Sequence, residues 1–331
     1  MSFGHKIRVG VLRGGPSSEY EVSLKSGETV LKNLPSKYSG VDIFISQNGT
    51  WHVQGMEKSP AEALKHIDVA FVALHGQYGE DGKVQRILEH LGMPFTGSAA
   101  FASAVAMNKG LTKGALARLK GKIKFAAHKI FSREEVAQKG ASEIFRLIPN
   151  PSIVKPNAAG SSVGVRIVKT FFDLESALDE ALKHSDSVII EEFIEGREAT
   201  CGVVENFRGV EHYALLPIEI IPHQKSLFFD YASKYSSQDN GGAQEVCPGN
   251  FDEETKRIIQ EASTAIHKEL GLRHYSRSDF MVHPKRGVFF LETNTLPGMT
   301  AESLIPKSIR AIGSDVPEFL DHVITMALTR S

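Results

Sequence analysis

Two cysteines are all that this chain contains, and Cys201 and Cys247 stand too far apart for a zinc cage or a disulfide scaffold. A reduced, cytoplasmic setting suits such a sequence. Long apolar runs are missing as well: no stretch approaches the ~18 residues that would span a membrane. The N-terminus carries basic residues but no signal-peptide core, since Gly10, Arg13 and Gly14 soon interrupt its apolar residues. Nor is there an excess of charge. The 38 lysines and arginines nearly match the 39 aspartates and glutamates, which argues against a nucleic acid or a membrane surface as partner. A phosphorylated small ligand stays compatible with that balance, because a few local lysines bind it without changing the total. Two nucleotide fingerprints are also missing. No G-x-x-x-x-G-K-S/T and no G-x-G-x-x-G occurs, so neither a P-loop nor a dinucleotide-binding turn is expected.

What is present reads as an α/β protein. At 331 residues the chain exceeds what one hydrophobic core supports, and two or three domains are expected. Apolar strand-like runs at Ile7–Leu12, Val41–Ile45 and Asp68–Leu74 alternate with helical patterns at Glu19–Leu34 and Asp81–Leu91, the latter closed by Gly92. That rhythm predicts a mostly parallel sheet covered by helices over residues 1–105. A second unit, 106–190, holds a capping box at Ser132–Glu135, a short helix ended by Gly140, a strand at Ser152–Pro156, a helix capped by Asp173, and a strand at Ser187–Phe193. The third, 191–331, has strands at Arg197–Glu205 and Val210–Ile218, and a lid loop at about 222–250 rich in Ser, Gly, Asn and Asp. An Asp252-capped helix, strands at Tyr275–His283 and Gly287–Asn294, and a last helix from near Ser314 complete it.

Three constellations carry chemistry. Strand side chains alternate faces, so Arg277 and Asp279 share one face, as do Glu292 and Asn294. A hairpin of the two strands joins all four on one surface. Two carboxylates and an amide oxygen suit a magnesium ion; a solvated outer face is the competing reading. Lys155 ends an apolar strand before the small-residue loop Asn157–Gly164, which can wrap phosphates with backbone N–H groups. A phosphate-facing lysine there would contribute little to the core. Glu19 follows Gly14-Gly15 at a helix start, where it either serves the helix dipole or faces a cleft and holds a cationic group. His75-Gly76 ends a strand, where open α/β sheets place ligands. Cys201 reads as core.

Taken together these stretches resemble the D-alanine–D-alanine ligases of the ATP-grasp superfamily over essentially the whole chain. The matching segments are 14–24 (GGPSSEYEVSL), 75–82 (HGQYGEDG), 94–98 (PFTGS), 154–164 (VKPNAAGSSVG), 230–235 (DYASKY), Cys247-Pro248, Arg277-Ser-Asp279 and 291–300 (LETNTLPGMT). The resemblance implies a three-domain ATP-grasp fold with an N-terminal parallel α/β domain. It also implies ATP-dependent joining of two D-alanines through an acyl-phosphate for peptidoglycan precursors, with two magnesium ions (manganese substituting) and a homodimer. By position it gives metal binding to Asp279, Glu292 and Asn294, and ATP contacts to Lys109, Lys155, Glu191, Glu192, Ile194 and Glu198. Glu19 would hold the first ammonium, with Ser161 and Tyr235 closing a triad and His75 beside the substrate. Arg277 and Gly298 fit the oxyanion site; Lys234, Ser303 and Leu304 fit the second carboxylate. Tyr235, where a histidine would favour D-lactate, points to D-alanine as acceptor. Depsipeptide ligases, other dipeptide ligases and a non-catalytic nucleotide-binding relative are the alternatives. Asn108 replaces a usual Asp, and Thr293 a usual Ala, the latter pointing away from the metal face.

Overall fold

A computed structural model of the protein describes residues 6–119, 121–160, 163–222 and 243–329. The opening apolar run folds as β1 (Ile7–Gly14), followed by α1 (Tyr20–Asn33), β2 (Tyr38–Ile45), β3 (Trp51–Val53), β4 (Met56–Lys58), α2 (Pro60–Leu64) and β5 (Val69–Val72). These strands form one sheet in the order β4-β3-β2-β1-β5, with β1 parallel to both β2 and β5. Val9, Val11, Leu12, Val69, Ala70 and Phe71 are fully buried, the continuous apolar pattern of strands covered on both faces. After α3 (Lys83–His90), Gly92 takes a left-handed φ of 61° and ends the helix as expected.

Two short helices that the sequence reading did not contain come next, α4 (Ala100–Met107) and α5 (Lys109–Ala115). Asn108 caps α5 by accepting the Leu111 N–H at 2.9 Å. The chain then passes through β6 (Lys124–Phe125), β7 (His128–Ser132), α6 (Arg133–Leu147), β8 (Ser152–Pro156), β9 (Arg166–Val168), α7 (Phe171–Leu182) and β10 (Ser187–Glu192). An antiparallel sheet, β7-β10-β8-β9, packs against α6 and α7.

The remaining elements are β11 (Arg197–Phe207), β12 (Val210–Ala214), β13 (Ile218–Ile221), β14 (Gln244–Val246), α8 (Glu253–Glu269), β15 (Tyr275–His283), β16 (Gly287–Asn294), α9 (Leu304–Ala311) and α10 (Val316–Thr329). They build a third sheet, β14-β13-β11-β15-β16-β6, with β12 paired to β11. Because β6 runs parallel to β16, the stretch from β6 to β7 ties the third sheet to the second. The helix α10 returns to the first sheet: Phe319, Leu320, Val323 and Ile324 share a core with Val9, Leu12 and Phe71. Burying each such side chain stabilises by roughly 1.5–3 kcal/mol.

Several local expectations give way. Gly140 does not end α6 but kinks it (φ 68°, ψ 163°), and the helix resumes because Ile144 buries against the α7 face. Asp173 is not the cap of α7; Thr170 is, and Asp173 reaches back to accept its N–H at 2.8 Å. The expected strand 210–218 breaks into β12 and β13 around Pro217, which lacks the N–H a ladder needs. Of the expected lid at about 222–250, residues 223–242 lie outside the described residues, and beyond them Gln244–Val246 is no loop but forms β14 against β13.

Candidate active site

The register of β15 and β16 sets Arg277 opposite Asn294 and Asp279 opposite Glu292. All four therefore share a face, as alternation predicts. The Arg277 guanidinium donates to both Asp279 oxygens at 2.9 Å. Thr200 on β11 donates its hydroxyl to Asp279 at 2.5 Å, and Asn294 donates its amide at 3.1 Å. Asp279 is 4% exposed, which excludes the solvated outer face. Thr293 lies on the other face, its hydroxyl 3.0 Å from that of Ser278, so the departure at this position leaves the carboxylates untouched. Two carboxylates and an amide oxygen on one face are a hard donor set that fits magnesium.

A row of lysines lies against this face. The Lys109 N–H donates to the Asn157 carbonyl at 2.8 Å, and the Gly110 N–H to the Asn157 side chain at 2.9 Å, docking α5 on the end of β8. Lys109 Nζ consequently lies 3.0 Å from Glu292 Oε2 and donates to the Ala159 carbonyl at 2.9 Å. One helical turn later Lys113 reaches Glu191 at 2.8 Å, while Lys155 on β8 reaches the other Glu191 oxygen at 2.6 Å. Burial by itself would raise the Glu191 carboxyl, but Lys155 and Lys113 outweigh it and hold that carboxyl well below the usual range. Lys155 is raised: burial opposes its charge, and Glu191, with Glu292 and Glu198 farther off, more than compensates. Burial wins at Lys113, which is lowered. Lys155 is buried and bound to a buried carboxylate, so the expectation that it adds little to the core does not hold.

Of the other expected ATP contacts, Glu191 and Glu198 belong to this charged group. Glu192 does not: its carboxylate pairs with Arg286, one contact at 3.1 Å, and its N–H donates to the Ala127 carbonyl at 2.8 Å. Neither group is aimed at the lysines. Ile194 packs with Ala126 and Phe289.

On the other side of the small-residue loop lies a cavity of about 270 Å³ bordered by Glu19, Gly76, Ala159 and Gly160. Glu19 begins α1 without any side-chain cap bond and borders this cavity, as the cleft reading expects, while its place at the helix start suits the dipole as well. Gly76 has a φ of 68°, and a Cβ there would sit 2.7 Å from Glu19 Oε2, so only glycine lets this backbone pass the carboxylate. His75, expected beside the substrate, has both ring nitrogens engaged inside the protein, with the Leu296 carbonyl at 2.9 Å and the Ser26 hydroxyl at 2.8 Å. Burial lowers it, leaving a neutral ring that pins the Leu296 turn. Ser303 stands just before α9 with no side-chain cap bond, its hydroxyl 2.7 Å from that of Thr300; a Cβ at Gly298 would meet its Oγ at 2.8 Å. Leu304 packs on Ile220 and Ala243. Ser161, Lys234 and Tyr235 lie outside the described residues.

The sequence reading missed Lys113 and Glu80. Glu80 accepts the N–H groups of Gly76 at 2.9 Å and Leu296 at 3.0 Å, tying the Glu19 cavity to the turn after β16. Burial, helped by nearby Glu19, pushes its carboxyl up to about 8 against the pull of those two N–H groups and Arg277. A raised carboxyl contributes stability that is fully present below its unfolded value of 4.5 and lost as pH rises to about 8. Thermal midpoints of the protein and its Glu80→Gln variant, compared across that window, will show the wild type losing ground steadily towards alkaline pH. A pH-independent difference would refute the buried acid.

A family model described as "D-ala D-ala ligase C-terminus" matches residues 120–325, and its N-terminus counterpart matches 8–63 and 52–98. A D-alanine–D-alanine ligase of Geotalea uraniireducens is 38% identical over 97% of this chain and 95% of its own. One from Geobacter sulfurreducens is 38% identical over 97% of this chain and 94% of its own. Among solved structures, the D-alanine–D-alanine ligase of Bacillus anthracis superposes with TM-score 0.80 at 35% identity, covering 98% of both chains. The VanG D-Ala:D-Ser ligase of Enterococcus faecalis superposes with TM-score 0.83 at 29% identity, covering 98% of this chain and 100% of its own. With an ATP-grasp α/β fold and matches from end to end, this chain belongs to the D-alanine–D-alanine ligase family.

Proposed function

We propose that this protein joins two D-alanines into D-alanyl-D-alanine at the expense of ATP, for peptidoglycan precursor synthesis. The observation that carries it is the meeting of Lys109, Lys155 and the Arg277–Asp279–Glu292–Asn294 face beside a cavity walled by Glu19. Residues 106–190 and 191–331 act as the two jaws on ATP, and 1–105 brings Glu19. Lys109 and Lys155 contact the ATP phosphates, the hinge at 191–194 takes the adenine, and Glu198 the ribose hydroxyls. Asp279, Glu292 and Asn294 would hold magnesium, two ions with manganese as substitute, which offset the charge gathering on the transferring phosphoryl group.

Glu19 fixes the ammonium of the first D-alanine, whose carboxylate attacks the γ-phosphorus and releases ADP. The amine of the second D-alanine, once deprotonated, attacks the resulting acyl-phosphate, and Arg277 with the Gly298 turn stabilises the oxyanion. Phosphate leaves. The start of α9, with Ser303 and Leu304, takes the second carboxylate at a helix N-terminus, joined by Lys234. His75 acts by positioning the Leu296 turn. Ser161 and Tyr235 complete a hydrogen-bonded triad with Glu19 under a lid over 222–250 that keeps water from the acyl-phosphate. A homodimer in the cytoplasm fits the family; among the described residues no helix is long and apolar enough to cross a membrane.

The structural likeness to a D-Ala:D-Ser ligase makes acceptor choice the point to test. Competition among D-alanine, D-serine and D-lactate with ATP, products resolved by mass, will give mainly D-alanyl-D-alanine. Its yield will rise from about pH 6 to about pH 9 as the attacking amine loses its proton. Dominance of the serine product, or of depsipeptide at the acid end, would reassign the acceptor.

A further inference from the structure

Far along β11 from the Asp279 face, Glu205 of β11, His212 of β12 and His267 of α8 converge, their ligand atoms all within 4.8 Å of one another. We propose that these three side chains bind a transition-metal ion of the zinc class, separate from the nucleotide site, which clips the β11–β12 hairpin to α8.

The fold builds the trio rather than scattering it. Glu205 and His212 are direct antiparallel partners, so their side chains leave the sheet on one face. The helix α8 lies on that face and presents His267, which is fully buried. The rings of His212 and His267 stand edge to face with centroids 5.6 Å apart. Outer contacts orient the ligands. Ser276 Oγ lies 2.7 Å from His267 Nδ1, which turns Nε2 to within 3.8 Å of Glu205 Oε1. The other Glu205 oxygen accepts the His274 N–H at 2.6 Å. A metal-bound histidine commonly has its second nitrogen held in this way, and a metal-bound carboxylate its second oxygen.

The spacing also fits. A contact of 3.8 Å is too long for a direct hydrogen bond. Two donors bonded at about 2.0–2.2 Å to a tetrahedral ion stand roughly 3.3–3.5 Å apart. Closing the trio on an ion therefore takes shifts of no more than about 1 Å, and His212, on the short outer strand, is the member with room to move. Its side chain keeps 14% exposure, which gives an ion a way in. Two imidazoles and a carboxylate select zinc, cobalt(II) or nickel over magnesium, which prefers oxygen donors only. Glu205 lies five residues beyond Thr200, the partner of Asp279, about 17 Å along a strand. An ion there is too remote to take part in phosphoryl transfer.

The test is a titration of the whole protein with cobalt(II) in excess magnesium, read by visible absorption, followed by displacement with zinc. One equivalent of cobalt will give d–d bands of tetrahedral intensity. At a hundredfold excess of zinc over its dissociation constant the thermal midpoint will rise by roughly 3–5 °C. His212→Gln, at the exposed edge, will lose both signals while magnesium-supported ADP release stays unchanged. Glu205→Gln, checked for folding by circular dichroism, serves as the second variant. Wild type without the bands, or bands that persist in both variants, would overturn the site.

Discussion

Glu292→Gln will reduce turnover by about a thousandfold or more, measured as ADP release at saturating magnesium. The substitution keeps the shape of the side chain and removes one of two formal negative charges among the proposed metal donors. The other, Asp279, is already engaged at both oxygens by Arg277, so it cannot take over the full load. Lys109 loses its carboxylate partner at 3.0 Å in the same stroke, which disturbs a lysine proposed to contact ATP. The fold should survive, because Glu292 is 20% exposed and glutamine has the same size. Thr293→Ala, one residue away on the opposite face, is the control and should leave turnover within about twofold, because its hydroxyl bonds Ser278 and the Arg277 carbonyl rather than either carboxylate. Appreciable activity in Glu292→Gln would remove the metal role from this strand pair.

The second large effect lies at the buried Lys113–Glu191–Lys155 group. Glu191→Gln leaves Lys113 and Lys155 facing each other in a buried pocket without their shared counter-charge. Breaking a buried ion group by removing one member costs about 3–5 kcal/mol, and denaturant unfolding at neutral pH should read a loss of that order. ATP affinity should fall as well, since the lysine row relaxes once its anchor is gone. Glu191 is held below its unfolded value of 4.5, so its stabilising contribution is present above that pH and fades as pH falls further. The stability gap between wild type and variant should accordingly narrow under acid. A gap of equal size at neutral pH and well into the acid range would mean that the carboxylate's charge is not what holds the lysines.

How far the sequence foretold these features depends on how local each one is. The β15–β16 hairpin was legible because strand alternation fixes which side chains share a face, and both strands carry polar residues at alternate positions among Phe280, Phe289 and Phe290. Asn108, a departure on paper, caps α5 with the same kind of side-chain acceptor an aspartate would offer. Lys113 was not legible. Gly110 and Gly114 weaken the helical pattern of its segment, and α5 forms only because Asn108 caps it and Asn157 receives it from elsewhere in the chain. Glu80 was hidden for a related reason: it sits inside a recognisable loop motif, but its partner Leu296 is 216 positions away. Glu192 carries a contact its local sequence does not announce: Arg286, far along the chain, pairs with its carboxylate. Pattern marks Gly140 as a break but cannot tell a kink from an end, since burial of Ile144 decides that in three dimensions, and it runs a strand through Pro217 where the chain breaks.

The return of α10 to the first sheet bears on how the chain comes into being at the ribosome. Residues 7–72 form the first sheet, yet Phe319, Leu320, Val323 and Ile324 belong to its core. A nascent chain that has emerged only as far as the third sheet still shows that apolar face to its surroundings. Contacts of such long sequence separation slow folding and lengthen exposure to aggregation. The first sheet made is among the last completed, so synthesis rate, chaperone access and intact residues 316–329 should govern soluble yield more than the strength of the N-terminal strands.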